Sequence, residues 1–541
     1  MKKRILAFLL TTALCAAAFA GCGNGGATSS ESSKEDSTPA SSTGSTVTAE
    51  KDPYGADFAS YPLDGSETLS FYVLAGYTAP DGVDLADNEW QIGLAERVGI
   101  NIDWQQIPAG SDWTQAYNLM IAGDDLPDVF YCWNISSNAT QLIEDNKIIA
   151  LNDYLETYAP AYYNFITSDA DVNKSVKNDN GDYYGFVFLR EDQYLGSYSG
   201  PMIRQDLLDQ LGKEAPATID EWTDVLTAMK DVVKYPLSAR GNVGNLGQPF
   251  YGAYKTMMNY YVDEGKVHYG YAEPGMKDFL AKMNEWYEAG LIDPDFFTND
   301  ASALEAKMLN GEVGANPTTA GSLVTITTKL KEIGSSDQWV AVPYPTLNKG
   351  ETPWYIQGET PNIGLAGVIT TACKNIPLAC RFFDYGYTED GAIYYNFGKE
   401  ENYTMVNGQP AFTDAFKNDP RGQNTMLETY TAMTRNSATL NLMAFFLSKP
   451  QINIDSVNTW YTKEGLAHLM PSAITMTSEE SASIATEAAA IGAQVDEMVS
   501  KFVLGQESLD NWDSFVSSLN SLGLEHVLEV RQAAYDRFLA R

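Results

Sequence analysis

LSFYVL at residues 69–74, EWQIGLAERVGINIDW at 89–104 and WTQAYNLMIAGDDLPDVFY at 113–131 together set the fold class. The first is a short apolar run rich in aromatic and β-branched residues, as a buried strand requires. In the second, Glu89 to Val98 has helical spacing and Gly99 breaks it before a strand at Ile100 to Trp104. The third repeats the unit, with a helix from Trp113 to Ala122 and a strand at Asp128 to Tyr131. Strands alternating with helices predict an α/β fold built on a mainly parallel sheet, with ligands received at the carboxyl ends of the strands.

Working outward from there, the chain opens on Met1, Lys2, Lys3 and Arg4, then an apolar run from Ile5 to Leu10 and small residues up to Gly21. A charged start, a short apolar core and a small-residue cleavage zone predict a secretory signal peptide over residues 1–21. Its apolar core is shorter than the ~20 residues a membrane-spanning helix needs. Phe19-Ala20-Gly21-Cys22 resembles a bacterial lipobox, with Phe19 in place of the usual Leu, which implies lipidation at Cys22. Residues 22–54 are dominated by Gly, Ser, Thr, Pro and charges, too polar to offset their ordering entropy by burial. A flexible tether with a reach of roughly 30 Å is expected there. The membrane is thus touched through the lipid anchor only.

Roughly 490 residues follow the tether, more than one hydrophobic core usually serves, so two lobes are expected. The formal charge of −36 becomes −39 once Lys2, Lys3 and Arg4 leave with the signal, a surface that repels nucleic acid. Apart from Cys15 and Cys22, the cysteines are Cys132, Cys373 and Cys380. An odd remainder makes no disulfide framework, and Cys373 and Cys380 are expected as buried thiols, with pairing as the alternative.

Further on, Thr218 and Glu221 form a capping-box pattern, and Trp222, Val225, Leu226, Met229 and Val233 then line one apolar face. Two amphipathic helices joined near Gly523 close the chain, the first carrying Trp512, Phe515 and Leu519. Between these stretches runs a colinear series: Val98-Gly-Ile-Asn-Ile, Leu126-Pro-Asp-Val, Leu151-Asn-Asp-Tyr-Leu, Asp182-Tyr-Tyr-Gly-Phe, Tyr287-Glu-Ala-Gly-Leu-Ile-Asp-Pro, Asn310-Gly-Glu-Val-Gly-Ala and Tyr395-Asn-Phe-Gly-Lys-Glu. The series resembles the extracellular solute-binding proteins of sugar ABC importers, of maltodextrin-binding type and in the larger Gram-positive lipoprotein subgroup. Lys399 departs from the pattern, where an Ile is more usual.

That resemblance implies a two-lobed, periplasmic-binding-protein-like α/β fold with three hinge crossings and a ligand cleft between the lobes. Lobe 1 is expected at 55–200 plus 318–395 and lobe 2 at 201–317 plus 396–541. It further implies an oligosaccharide ligand, a membrane permease and its ATPase as partners, a monomer, and no cofactor. Peptide binding and, further off, glycoside hydrolysis are the alternatives.

The residues themselves carry little catalytic chemistry. His268, His468 and His526 lie far apart in sequence and away from cysteines, so no metal site or histidine-based triad is expected. Tyr198 occupies the centre of Gly196-Ser-Tyr-Ser-Gly200, where a nucleophile elbow needs Ser. No phosphate-cradling glycine loop is present, which assigns ATP hydrolysis to another polypeptide. Asp169, Asp171 and Asn173 begin like a calcium loop, but Lys174 replaces the turn glycine.

What remains is aromatic character: 32 Tyr, 22 Phe and 10 Trp. Sugar rings pack their C–H faces on flat rings and hydrogen-bond to amides and charged groups. The candidates are aromatics in loops: Trp133 with Asn134, then Trp354, Tyr395 with Asn396, Tyr251, Trp113 with Asp112, and Trp460. Trp222, Trp286 and Trp512 sit on helical stripes and are expected in the core.

Overall fold

The computed structural model describes residues 52–541, apart from 78, 81, 109–110, 124, 191 and 433–441. The leader, Cys22 and nearly all of the expected tether lie outside the described residues. Residues 52–54 already belong to the body, since the Tyr54 carbonyl accepts hydrogen bonds from the buried Arg381.

Two sheets organise the body. In chain order the strands are β1 (Thr68–Val73), β2 (Asn101–Gln106), β3 (Val129–Trp133), β4 (Phe186–Leu189), β5 (Ser199–Arg204) and β6 (Tyr235–Leu237). A hairpin of β7 (Tyr260–Asp263) and β8 (Lys266–Tyr269) follows, then β9 (Val313–Thr319), β10 (Trp339–Ala341) and β11 (Asn362–Ile369). A second hairpin, β12 (Tyr403–Val406) and β13 (Gln409–Phe412), completes the set. The first sheet has the order β2-β1-β3-β11-β4 and the second β10-β5-β9-β6.

The three opening units fold as their patterns dictate. Helices run Glu89–Val98 and Trp113–Ala122, the first ended by Gly99 in the left-handed region at φ 78°. Strands β1, β2 and β3 pair in parallel. The other pairings are antiparallel apart from β6 with β9: β11 runs antiparallel to both β3 and β4, and β5 antiparallel to β9 and β10. Each sheet is therefore mixed. The reason is topological, because β11 re-enters the first sheet from the second lobe instead of through a helix laid along its own.

Each sheet has its own core. The first gathers Phe71, Phe130, Tyr162, Phe186 and Phe383; the second gathers Trp222, Phe250, Phe279, Trp286 and Trp512. The stripe tryptophans are buried as expected. Cys132, Cys373 and Cys380 are free, buried thiols, and burial pushes the Cys373 thiol up to about 12.

The lobe boundaries differ from the sequence-based ones in both directions. Helix Ala320–Glu332 buries Leu323, Ile326 and Leu330 with Met202 and Trp339, and β10 pairs with β5. Because β9 lies inside the second sheet, the helix that follows must pack there, so residues 318–356 belong to lobe 2. Conversely, residues 396–432 stay with lobe 1. Asn88 Nδ2 donates to the Glu428 carbonyl at 2.9 Å, Ala432 N–H donates to the Tyr395 carbonyl at 2.8 Å, and Lys399 pairs with Glu89. The chain crosses between β4 and β5 and again just before β11. The two crossings are tied together by Gln357, whose Oε1 accepts the N–H groups of Tyr198 and Ser199, both at 2.9 Å.

Helix Ile219–Met229 carries the full capping box: Thr218 Oγ1 accepts from Glu221 N–H, and the Glu221 carboxylate accepts from Thr218 N–H, both at 3.2 Å. Thr218→Ala is expected to destabilise the second lobe by about 1 kcal/mol, read as a lower urea midpoint with unchanged slope. No change would show that the Glu221 half of the box suffices. The C-terminal helix Leu524–Ala540 starts at Gly523, φ 101°, and reaches back to lobe 1, where Arg537 and Arg541 both pair with Asp179.

Candidate functional site

At the carboxyl end of β6 the chain runs into Ala239 and Arg240, and Asn242 caps the short helix Val243–Gly247 by accepting from Asn245 N–H at 2.8 Å. At the end of β9, Thr318 and Thr319 lead into helix Ala320–Glu332, where Thr319 caps by accepting from Ser322 N–H at 3.1 Å. These strand ends form one wall of a cavity of about 690 Å³. Helix Gln451–Trp460, whose Val457 and Trp460 belong to the second core, adds Lys449, Pro450 and Asn453 to the lining, and helix Gln423–Tyr430, held on lobe 1, adds Gln423, Asn424 and Leu427. The cavity thus lies between parts held by the two cores.

Its lining mixes amides and hydroxyls, Asn245, Gln248, Asn316, Thr319, Ser322 and Gln423 among them, with apolar residues such as Met202, Leu304 and Ile326. Two of the amides are fixed from behind. Asn316, buried, donates to the Ser238 carbonyl at 3.0 Å, and Gln248 donates to the Tyr344 hydroxyl at 2.7 Å. Such groups hold their hydrogen-bonding faces in place before a ligand arrives, which lowers the entropy lost on binding. Among the described residues there is no cluster of three or more His, Cys, Asp or Glu that suits a metal ion.

None of the nine sequence candidates lines this cavity. Trp460 is 1% exposed, its Nε1 donates to the Pro201 carbonyl at 3.1 Å, and its ring lies against Gly200. Tyr395, also 1% exposed, packs edge-on against Trp90, and the Asn396 amide donates to Ala392 O within its own helix. Tyr251, 7% exposed, packs on Tyr355 and Phe279. These four are buried positions: Tyr395 and Asn396 lie within helix Glu389–Phe397, Trp460 is the last residue of helix Gln451–Trp460, and Tyr251 opens the helical turn Tyr251–Tyr254. Trp354 stacks on His468 with centroids 4.0 Å apart, in the second lobe. Asp112 caps helix Trp113–Ala122 by accepting from Thr114 N–H at 2.8 Å, and Trp113 packs on the first core.

Trp133 and Asn134 stand at the carboxyl end of β3, as the strand-end rule anticipates. Trp133 is half-buried, and Asn134 takes a left-handed φ of 62° while its N–H donates to the Gly364 carbonyl at 2.7 Å. They sit beside the start of β11, next to a crossing. Sequence reasoning missed the cavity's amide and hydroxyl residues because it followed aromatics. The available signal was polar residues at strand ends, Arg240 and Thr318-Thr319. Tyr198 is exposed at the first crossing, and its hydroxyl donates to Glu359 at 2.8 Å beneath Arg190.

Two α/β lobes, each with its own sheet and core, joined by crossing segments and enclosing a polar cavity, define a two-lobed binding protein. The model of the bacterial extracellular solute-binding protein family matches residues 84–393, more than half of the chain, and the protein belongs to that family. The chain is 22% identical to the fructooligosaccharide ABC transporter substrate-binding protein FusA of Streptococcus pneumoniae, over 92% of this chain and 95% of that one. It is 23% identical to the lipoprotein LipO of Bacillus subtilis over 59% of this chain and 64% of that one. Among solved structures, a human-milk-oligosaccharide-binding solute-binding protein of Bifidobacterium longum infantis superposes with a TM-score of 0.72 at 18% identity, covering 88% of this chain and 99% of the other. The alginate-binding protein AlgQ2 superposes with a TM-score of 0.70 at 22% identity, with the same coverage.

Proposed function

We propose that the protein is the solute-binding component of an ABC importer, capturing an oligosaccharide outside the cell and delivering it to a membrane permease driven by a separate ATPase. The observation that carries this reading is the cavity between the lobes, lined by back-braced amides and hydroxyls, the groups that match sugar hydroxyls. The likeness to FusA, named for fructooligosaccharides, along nearly the whole chain supports the same class of ligand. The family is one of solute-binding proteins, which supports binding as the role of the cavity. Closure of the lobes on ligand is the conformational step, driven by contacts to both walls.

Lipidation at Cys22, after removal of residues 1–21, places the body on the outer face of the cell membrane as a monomer on its tether. The described residues contain no helix long and apolar enough to cross a membrane.

The test uses the chain from Asp52, one compact unit that holds both cores. An oligosaccharide present at 100 times its Kd stabilises the folded state by about 2.7 kcal/mol and raises the melting temperature. A rise with a class of oligosaccharides and none with peptides is expected, and Gln423→Ala, which alters the cavity lining, is expected to diminish it. Rises with peptides alone would overturn the ligand class.

A further inference from the structure

The cavity carries a charge pattern opposite to that of the whole molecule. Its charged lining residues are Arg240, Lys449 and Glu305, and Glu305 is already paired with Lys329 at 2.7 Å. Arg240 and Lys449 have no carboxylate partner among the described residues; Lys449 lies 5.2 Å from the centroid of the Phe445 ring. In a chain of net charge −36, two cations without a carboxylate partner thus line the same cavity.

A second observation points the same way. Besides helix Ala301–Leu309, whose start is already capped by the Asp300 carboxylate, three helices begin at the cavity: Ala320–Glu332, with Gly321 and Ser322 in the lining; Gln423–Tyr430, with Gln423 and Asn424; and Gln451–Trp460, with Pro450 and Asn453. The last two have no side-chain cap, their N-cap positions being Gly422 and Pro450. Helix starts carry partial positive charge and unsatisfied N–H groups, so their convergence adds to the cations instead of offsetting them.

We propose that the oligosaccharide taken by this cavity is acidic, bearing a carboxylate, sulfate or phosphate ester group that is received by Lys449 and Arg240 at the meeting of the three helix starts. This rests on the oligosaccharide reading above. Burial, with Arg190 nearby, lowers the Lys449 pKa, which describes an ammonium partly stripped of water and without a counterion. An arriving anion supplies that counterion. The acidic exterior opposes approach only weakly at physiological salt, because its field is screened over about 8 Å, whereas contacts inside the cavity are screened much less.

The experiment exposes the chain from Asp52 to a mixed polysaccharide hydrolysate containing neutral and acidic oligosaccharides in equal amounts, and identifies the retained species by mass spectrometry. Acidic species are expected to be retained, their masses distinguishing carboxylate from sulfate and phosphate. Lys449→Gln and Arg240→Gln are each expected to weaken the retained species by about tenfold, with Lys449→Arg restoring most of the affinity. For a carboxylate ligand, its carboxyl-reduced analogue is expected to bind the parent equally poorly. Retention of neutral species, or acidic retention indifferent to both Gln variants, overturns the inference and leaves oligosaccharide capture standing. Retention of nothing overturns both.

Discussion

Arg381→Ala is expected to destabilise the first lobe by about 3–5 kcal/mol, because it leaves a buried carboxylate without its partner. Arg381 is almost fully buried. Its Nε donates to the Tyr54 carbonyl at 2.8 Å, its Nη2 donates to the carbonyls of Tyr54 and Thr157, and its guanidinium lies over the Phe58 ring at 4.2 Å. Nη1 stands 3.5 Å from Asp384, whose Oδ1 in turn accepts from Tyr162 N–H at 2.9 Å. Removing the cation therefore frees the segment before β1 and strands Asp384.

The effect has a pH signature. Burial pushes the Asp384 carboxyl up to about 6, although the Tyr162 N–H and Arg381 pull the other way. A carboxyl whose native pKa lies above its unfolded value contributes stability at low pH and loses it as pH rises from about 4 through about 6. Without Arg381 the native pKa rises further, so the penalty is expected to be larger at pH 8 than at pH 5. Urea midpoints at the two values check this. An equal penalty at both would mean that the lost carbonyl hydrogen bonds, not the stranded charge, dominate.

Trp460→Ala is expected to cost about 3–5 kcal/mol, the range for emptying a large aromatic from a packed core. The indole closes the second core against the first crossing strand: a Cβ built on Gly200 would stand 2.6 Å from its ring, so β5 passes it backbone to face. Because Trp460 does not line the cavity, the folded variant is expected to keep its oligosaccharide affinity. A variant of normal stability that has lost binding would return Trp460 to the ligand.

Local patterns carried much of the fold. The helices Glu89–Val98 and Trp113–Ala122, the capping box at Thr218 and Glu221, and the closing helix pair at Gly523 were all legible, since each depends on spacing and end chemistry within a few residues. The lobe boundaries were not. Whether residues 318–356 pack with the first sheet or the second depends on β9 being flanked by β5 and β6, a pairing between segments over 70 residues apart. The same holds for residues 396–432, fastened to lobe 1 by Asn88 and Glu89 from the far end of the chain.

The site divides in the same way. The strand end that carries Trp133 and Asn134 could be read locally. Tyr251, Tyr395 and Trp460 were misplaced because a loop aromatic in sequence says nothing about which lobe closes over it. By itself the sequence determined the family series, the alternation of strand and helix, and the polar composition that makes a binding protein plausible. Only the tertiary structure decided that Arg240, Lys449 and three helix starts share one cavity, because a cleft between two lobes is lined by segments brought together across the whole chain.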